Sequence, residues 1–277
     1  MKLKAVFFLT VLTSSVFLIP IKAQEKNKSE ACYTTNNTFK EGEVLSYIVS
    51  YNWFVVFAEV GEVTLSIKKD RIFNQNAYHF VGEGRSFDWW DKFFKVRDRY
   101  EVWVRQDNLR PLFFQRNNRE GNFRQHESYT FEGDSLIYRK NKVNDRPLKY
   151  DTLHITPCAF DVMGALLRTR NLDYDNVKVG EKIPVTVALD NELYDLYFRY
   201  QGIEDVKVKG LGTFECKKFT VLLVEGTLFH EGEDMILWVT NDKNHIPVYA
   251  ESPILIGSVK VKITDIKGNK HPLSSKK

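Results

Sequence analysis

The sequence predicts a mainly β protein, one large and strongly curved antiparallel sheet or open barrel with a single central α-helix packed on it. Three observations predict it. Most of the chain alternates apolar and polar residues with period two, polar clusters rich in Asn, Asp and Gly separate the alternating segments, and one segment switches to helical spacing. The alternation begins at Val44–Tyr51, where Leu45, Tyr47, Val49 and Tyr51 share a face opposite Ser46 and Ser50. It resumes with Gly61, Val63, Leu65 and Ile67, so Trp53–Phe57 reads as the turn-side end of a first hairpin. Strands are expected next at Tyr78–Gly82, Arg99–Val104, Leu112–Arg116, His126–Phe131 and Ser135–Arg139, spaced as in a meander.

The exception is a helix expected over Pro157–Arg170. Thr156 is placed to cap it and Pro157 to open it, while Phe160, Met163, Leu166 and Leu167 fall near one face and Arg168 and Arg170 suit the dipole at its C-terminus. After Gly180 the strands return. Ile183, Val185, Val187 and Leu189 face one way, Asp190 and Asn191 form a turn, and Tyr194, Leu196, Phe198 and Tyr200 come back as the second arm of a hairpin. Val206–Val208, Cys216–Val224, Met235–Thr240, Ile246–Glu251 and Val259–Thr264 complete the set.

The first 23 residues read as a removable signal peptide: Lys2 and Lys4, an uncharged apolar run from Ala5 to Ile19, then Ile-Lys-Ala before Gln24. The run is too short to span a membrane as a helix, and no later stretch is long enough. The predicted organisation is therefore a signal peptide at 1–23, a flexible segment at 24–38, one β-rich domain at 39–266 and a disordered basic tail at 267–277. The expected location is periplasmic or secreted, with association to the outer membrane left open. The formal net charge of +4 falls to +1 once Lys2, Lys4 and Lys22 are removed. A nearly neutral chain gives no electrostatic case for nucleic acid. Cys32, Cys158 and Cys216 allow one bridge and leave one thiol over, with Cys158 to Cys216 the pairing considered.

The segments FKEGEVLSYIVSY at 39–51, AEVGEVTLSI at 58–67, KVRDRYEVWV at 95–104, FDVMGALLRTR at 160–170, VGEKIPVTV at 179–187, LWVTNDKNHIPV at 237–248 and ILIGSVKVKI at 254–263 resemble, in order, family 3108 of the domains of unknown function. The matching residues include Gly61, Asp98, Gly180, Pro247 and Gly257. The resemblance implies a β-rich, exported bacterial envelope protein and brings no catalytic residues with it.

The densest chemical signal is aromatic. Phe87, Trp89, Trp90, Phe93 and Phe94 crowd into eight residues, and with Trp53, Phe54 and Phe57 they are the candidate ligand-binding set for an apolar or flat molecule. The plainer reading, that these rings plug the end of an open barrel, is the more expected one. Asp98 as an acid or base with Arg97 as an anion clamp competes with a solvated charge ladder. Cys158 as a nucleophile competes with a buried or bridged cysteine. The histidines show no ligand spacing; the only cluster, His230 with Glu231, Glu233 and Asp234, reads as an acidic loop. No phosphate loop, dinucleotide fingerprint or nucleophile elbow occurs, and no cofactor is implied. Asp134-Ser135-Leu136 and Asp151-Thr152-Leu153 fit an O-glycosylation pattern at Ser135 and Thr152. The function expected is non-catalytic binding of an apolar or amphipathic envelope molecule such as a lipid. The rivals are a hydrolase of an envelope polymer built on Asp88, Asp91 and Asp98, and an interaction module docking another envelope protein. A transmembrane barrel is disfavoured by charges such as Lys260 and Lys262 on the outer face.

Overall fold

The computed structural model describes residues 33–53, 56–223, 232–253 and 257–277, so the expected signal peptide and the His230 loop lie outside the described residues. The first strands are β1 (Val44–Trp53), β2 (Val56–Ile72), β3 (Gln75–Ser86), β4 (Arg97–Arg105), β5 (Pro111–Glu120), β6 (Phe123–Glu132), β7 (Leu136–Val143) and β8 (Lys149–His154). Each pairs antiparallel with the next, as the regular turn spacing predicts. A two-residue strand β9 (Ala159–Phe160) and helix α1 (Val162–Arg170) follow, then β10 (Lys182–Leu189), β11 (Glu192–Val208), β12 (Gly212–Leu223), β13 (Gly232–Thr240), β14 (Pro247–Pro253) and β15 (Ser258–Lys267). This second series returns antiparallel until β15 pairs with β1, joining both halves into one fifteen-stranded sheet. The ends of the ladder are β8 and β9, which do not pair with each other, so the sheet does not close.

Local chemistry sets the turns and bends. Phe73 and Asn74 between β2 and β3, and Asp190 and Asn191 between β10 and β11, all have positive φ, the signature of the hairpin turns that match strand twist. Gly61 sits beside a register shift of the β1–β2 ladder, and a Cβ there would lie 2.5 Å from the Arg85 carbonyl oxygen, so only glycine fits. β8 escapes sequence reading because it is a mostly polar, exposed edge strand, the composition that protects a sheet edge.

The helix begins later than its sequence suggests. Pro157 and Cys158 form a turn in which Cys158 has φ +79°, and Ala159–Phe160 pair parallel with β10, which leaves no room for a helix start at Thr156. Asp161 is the cap instead: its Oδ1 accepts from the N–H groups of Met163 and Gly164 at 2.9 and 2.8 Å. From there Met163 and Leu167 enter a core with Ile67, Phe80, Val102, Phe114, Tyr129 and Ile137. Gly82 makes that approach feasible, since a Cβ would meet the Met163 Cε at 2.9 Å. Burial of this kind is worth about 1.5–3 kcal/mol per large apolar side chain.

Two charged devices tie the halves together. Arg170, at the end of α1, donates from Nη1 and Nη2 to the two carboxylate oxygens of Glu43 at 2.6 and 3.1 Å, and from Nη2 to the Asn244 carbonyl at 3.0 Å. Both partners are almost wholly buried. The second is a chain of ion pairs in which Glu127 sits between Arg116 (2.6 Å) and Arg139 (2.5 Å), Arg139 reaches Asp151 of β8 at 2.9 Å, and Arg116 reaches Asp190 in the β10–β11 turn. The chain therefore runs from one end of the ladder to a turn near the other.

The termini correct two expectations. The segment expected to be flexible is packed where it is described: Thr38 is buried, the Asn37 N–H donates to Asn171 Oδ1 at 2.7 Å, and Tyr33 meets Phe160 edge-on. The tail expected to be disordered is docked: Leu273 packs on the second core with Leu45, Phe214 and Trp238, Ser275 donates to Asp242 at 2.6 Å, and Lys276 bridges Phe214. A tail with apolar and hydroxyl groups facing buried acceptors gains more from docking than its charge loses.

Two outcomes follow. Glu43→Gln leaves the Arg170 charge uncompensated and should cost about 3–5 kcal/mol in urea unfolding, whereas Glu43→Leu with Arg170→Met should recover most of that loss; equal stability of both variants would contradict the role given to the pair. Asp161 is wholly buried, and burial, opposed by the Gly164 and Met163 N–H groups, pushes its carboxyl up to about 7. An acid raised in the folded state binds its proton more tightly there than in the unfolded chain, where its pKa is about 3.9. Its contribution is thus full below about pH 4 and is lost as pH rises to about 7. Wild type minus Asp161→Asn should show this slope, on the order of 3 kcal/mol, in unfolding measured across that range.

Candidate ligand cavity

Between α1 and the β10–β13 part of the sheet lies a cavity of about 400 Å³. The sequence builds its walls by strand alternation. Val185 stands opposite Leu196 and Ile183 opposite Phe198 across β10–β11, and Phe219 faces Leu237 and Val221 faces Met235 across β12–β13, so apolar residues line a single face. Helix α1 closes the other side with Val162, Ala165, Leu166 and Thr169. Val185, Leu189, Leu196, Val221, Met235 and Leu237 are only half-buried, so water reaches apolar side chains inside the fold. That is an unfavourable arrangement which an apolar occupant would relieve.

Polar groups at the cavity are few and already engaged. Arg170 is neutralised by Glu43. Tyr174 donates its hydroxyl to the Thr169 carbonyl, and burial holds its phenol well above the usual range, so it stays neutral. With no uncompensated charge in its wall, the cavity selects for apolar bulk and disfavours an ion at its centre.

The aromatic candidates are elsewhere. Trp89, Phe93 and Phe94 are exposed in the β3–β4 connection and Phe57 is exposed at the start of β2, while Phe87 and Trp90 are half-buried. Trp90 contacts Tyr51, Trp89 and Phe93 at ring-centroid distances of 6.2, 5.4 and 5.7 Å. Trp89, Trp90 and Phe93 thus meet at the surface beside Tyr51, which corrects the expectation that these rings plug a barrel; none of the described candidates lines the cavity. The side chains of Trp53 and Phe54 lie outside the described residues.

Two of the acidic candidates face one arginine, and the third is held by a different residue. Asp91 is paired with Arg97 at 2.6 Å and Asp88, fully exposed, stands 4.0 Å from the same guanidinium. Asp98 accepts from the Arg119 N–H at 3.0 Å, and burial, reinforced by neighbouring Glu120, pushes its carboxyl up to about 6. Cys158 is disulfide-bonded, with a partner outside the described residues, and Cys216 carries a free thiol, so the pairing of these two is corrected. Cys216 is buried beneath Phe214 and Trp238, and burial pushes its thiol up to about 12. Ser135 and Thr152 are both exposed, on the β6–β7 turn and on β8.

The cavity-lining residues were partly readable in advance, since Val185, Val187, Leu189, Leu196 and Phe198 stood on matching strand faces. The missing step was the position of α1, which depends on the Asp161 cap and the Gly82 opening.

Among the described residues no helix is long and apolar enough to cross a membrane, and no cluster of His, Cys, Asp and Glu is arranged to hold a metal. No curated protein matches the sequence. Among solved structures, a beta-barrel-like protein of the domain-of-unknown-function family DUF1849 from Brucella abortus superposes with a TM-score of 0.52 at 9% identity, covering 83% of this chain and 98% of that one. A protein from Parabacteroides distasonis described as a "putative lipoprotein" aligns with a TM-score of 0.31 at 10% identity, over 84% of this chain and 99% of its own. The first likeness supports the barrel-like fold alone. In sequence, the model of the family described as protein of unknown function, DUF3108, matches residues 46–264, and the chain belongs to that family.

Proposed function

We propose that this is an exported envelope protein that binds an apolar or amphipathic molecule, of the class of a single acyl chain, in the cavity between α1 and β10–β13. The observation that carries the reading is the solvent-reached apolar wall around about 400 Å³, whose one charge is neutralised by Glu43. Ligand sites are commonly about 300–1,000 Å³ and mainly apolar with a few polar groups, and an apolar cavity of roughly 150 Å³ already takes benzene. The disulfide at Cys158 supports export, because such bonds persist in oxidising compartments. The apolar segment at residues 5–19 supports it independently.

Titration with a fluorescent fatty acid tests the reading. The wild-type protein should bind it saturably, and Leu166→Trp, which fills the cavity from the helix side, should weaken binding at least about tenfold. The variant's unfolding midpoint should stay close to wild type, since the new ring enters existing space instead of displacing core. Saturable binding of equal strength in both proteins would locate the ligand elsewhere, and no binding by the wild type to any chain length would sink the proposal.

A further inference from the structure

Antiparallel strands alternate in direction, so the start of β2 and the β3–β4 and β5–β6 connections lie at the same end of the sheet. They are also in mutual contact. The Phe87 N–H donates to the Val60 carbonyl of β2 at 2.9 Å, the Gly121 N–H of the β5–β6 turn donates to the Lys95 carbonyl at 2.8 Å, and the Phe94 ring lies over Gly121, where a Cβ would come within 3.2 Å of it. This rim displays Phe57, Trp89, Phe93, Phe94 and Phe123, between 39% and 75% exposed. These rings are absent from the buried core, and their exposure to water is a standing cost.

Between the rings the exposed cations outnumber the exposed carboxylates, which are Glu59 and Asp88. Asp91 is occupied by Arg97 and Ser86, and Asp88 is drawn to the same arginine. Lys92, Lys95, Arg119 and Arg124 are exposed at the same tips, and Lys92, Arg119 and Arg124 form no ion pair among the described residues. Trp and Phe placed beside basic side chains match the interface of an anionic bilayer, where rings sit at headgroup depth and long cations stay at the surface. None of the exposed rings on these tips lines the apolar cavity. A fluid lipid surface accommodates such tips without shape complementarity, whereas a protein partner needs a matching mould.

We infer that the rim formed by the start of β2 and the β3–β4 and β5–β6 connections docks the protein on an anionic lipid surface, with Trp89, Phe93 and Phe94 entering the interface and Lys92 and Lys95 against the headgroups. The inference does not rest on the cavity, and the two fail separately.

The test is co-sedimentation with vesicles of phosphatidylcholine alone and of phosphatidylcholine with phosphatidylglycerol. The chain from Gln24 onward contains every described residue and is used so that the apolar segment at 5–19 cannot itself insert. The protein should partition onto the anionic vesicles, with a blue shift in tryptophan emission. Trp89→Ala with Phe93→Ala should lower partitioning at least about tenfold, while Lys92→Glu with Lys95→Glu should weaken binding to the anionic vesicles and leave any residual binding to the neutral ones unchanged. Fatty-acid binding and the urea midpoint should be unaffected in both. Phe57→Ala with Phe123→Ala, at the starts of β2 and β6, repeats the test if the β3–β4 variants fold poorly. A wild-type protein that stays in the supernatant with both vesicles overturns the inference, as does equal sedimentation of wild type and both aromatic variants; retention on another envelope protein without vesicle binding counts as the first of these.

Discussion

A fifteen-stranded meander whose end strands do not pair has a concave apolar interior and no closing ladder, and the ion pair between Glu43 and Arg170 fixes how that interior is filled. Glu43 immediately precedes β1, at the centre of the sheet, and Arg170 ends α1, so the pair anchors the helix to the junction of the two halves. Buried pairs add little net stability compared with apolar replacements, but they are intolerant of misplacement. Here that intolerance specifies where α1 ends. The helix then divides its faces between a tight core with β2–β7 and the looser cavity against β10–β13.

This division explains why the space beside α1 is filled on one side and open on the other. Met163 and Leu167 meet large buried rings, Phe80, Phe114 and Tyr129, and Gly82 supplies the depth for methionine. On the opposite side Ala165 and Thr169 are short, and the facing strands carry valine and leucine. Interiors normally pack near crystal density, and the apolar space beside α1 is where this fold departs from it. The exposed rim is a separate feature with a different chemistry: its basic side chains face solvent, whereas the one cation at the cavity, Arg170, is neutralised by Glu43.

Much of this was legible in the residues. Period-two alternation marked β1, the middle of β2 and the β10–β11 hairpin, and Asp190-Asn191 marked its turn, because a half-buried antiparallel strand must alternate. The family resemblance carried by Gly61, Asp98 and Pro247 also holds. Long-range effects were not legible. Thr156-Pro157 has the form of a helix start, yet the pairing of Ala159–Phe160 with β10 overrides it and passes the cap to Asp161. The C-terminal tail looked solvated because its lysines are local, whereas the groups that receive it, Asp242 and Asn244, lie about thirty residues upstream. The aromatic segment was conspicuous in sequence, but only the sheet shows that its rings face outward.

The measurement that bears most directly on the account is native mass spectrometry, with lipid extraction, of the protein purified from its own cell envelope. The account predicts a discrete added mass from an apolar or amphipathic molecule, present in wild type and in the Trp89→Ala, Phe93→Ala variant, and absent from Leu166→Trp. A clean unliganded mass under gentle conditions, or an adduct retained in full by Leu166→Trp, would contradict it.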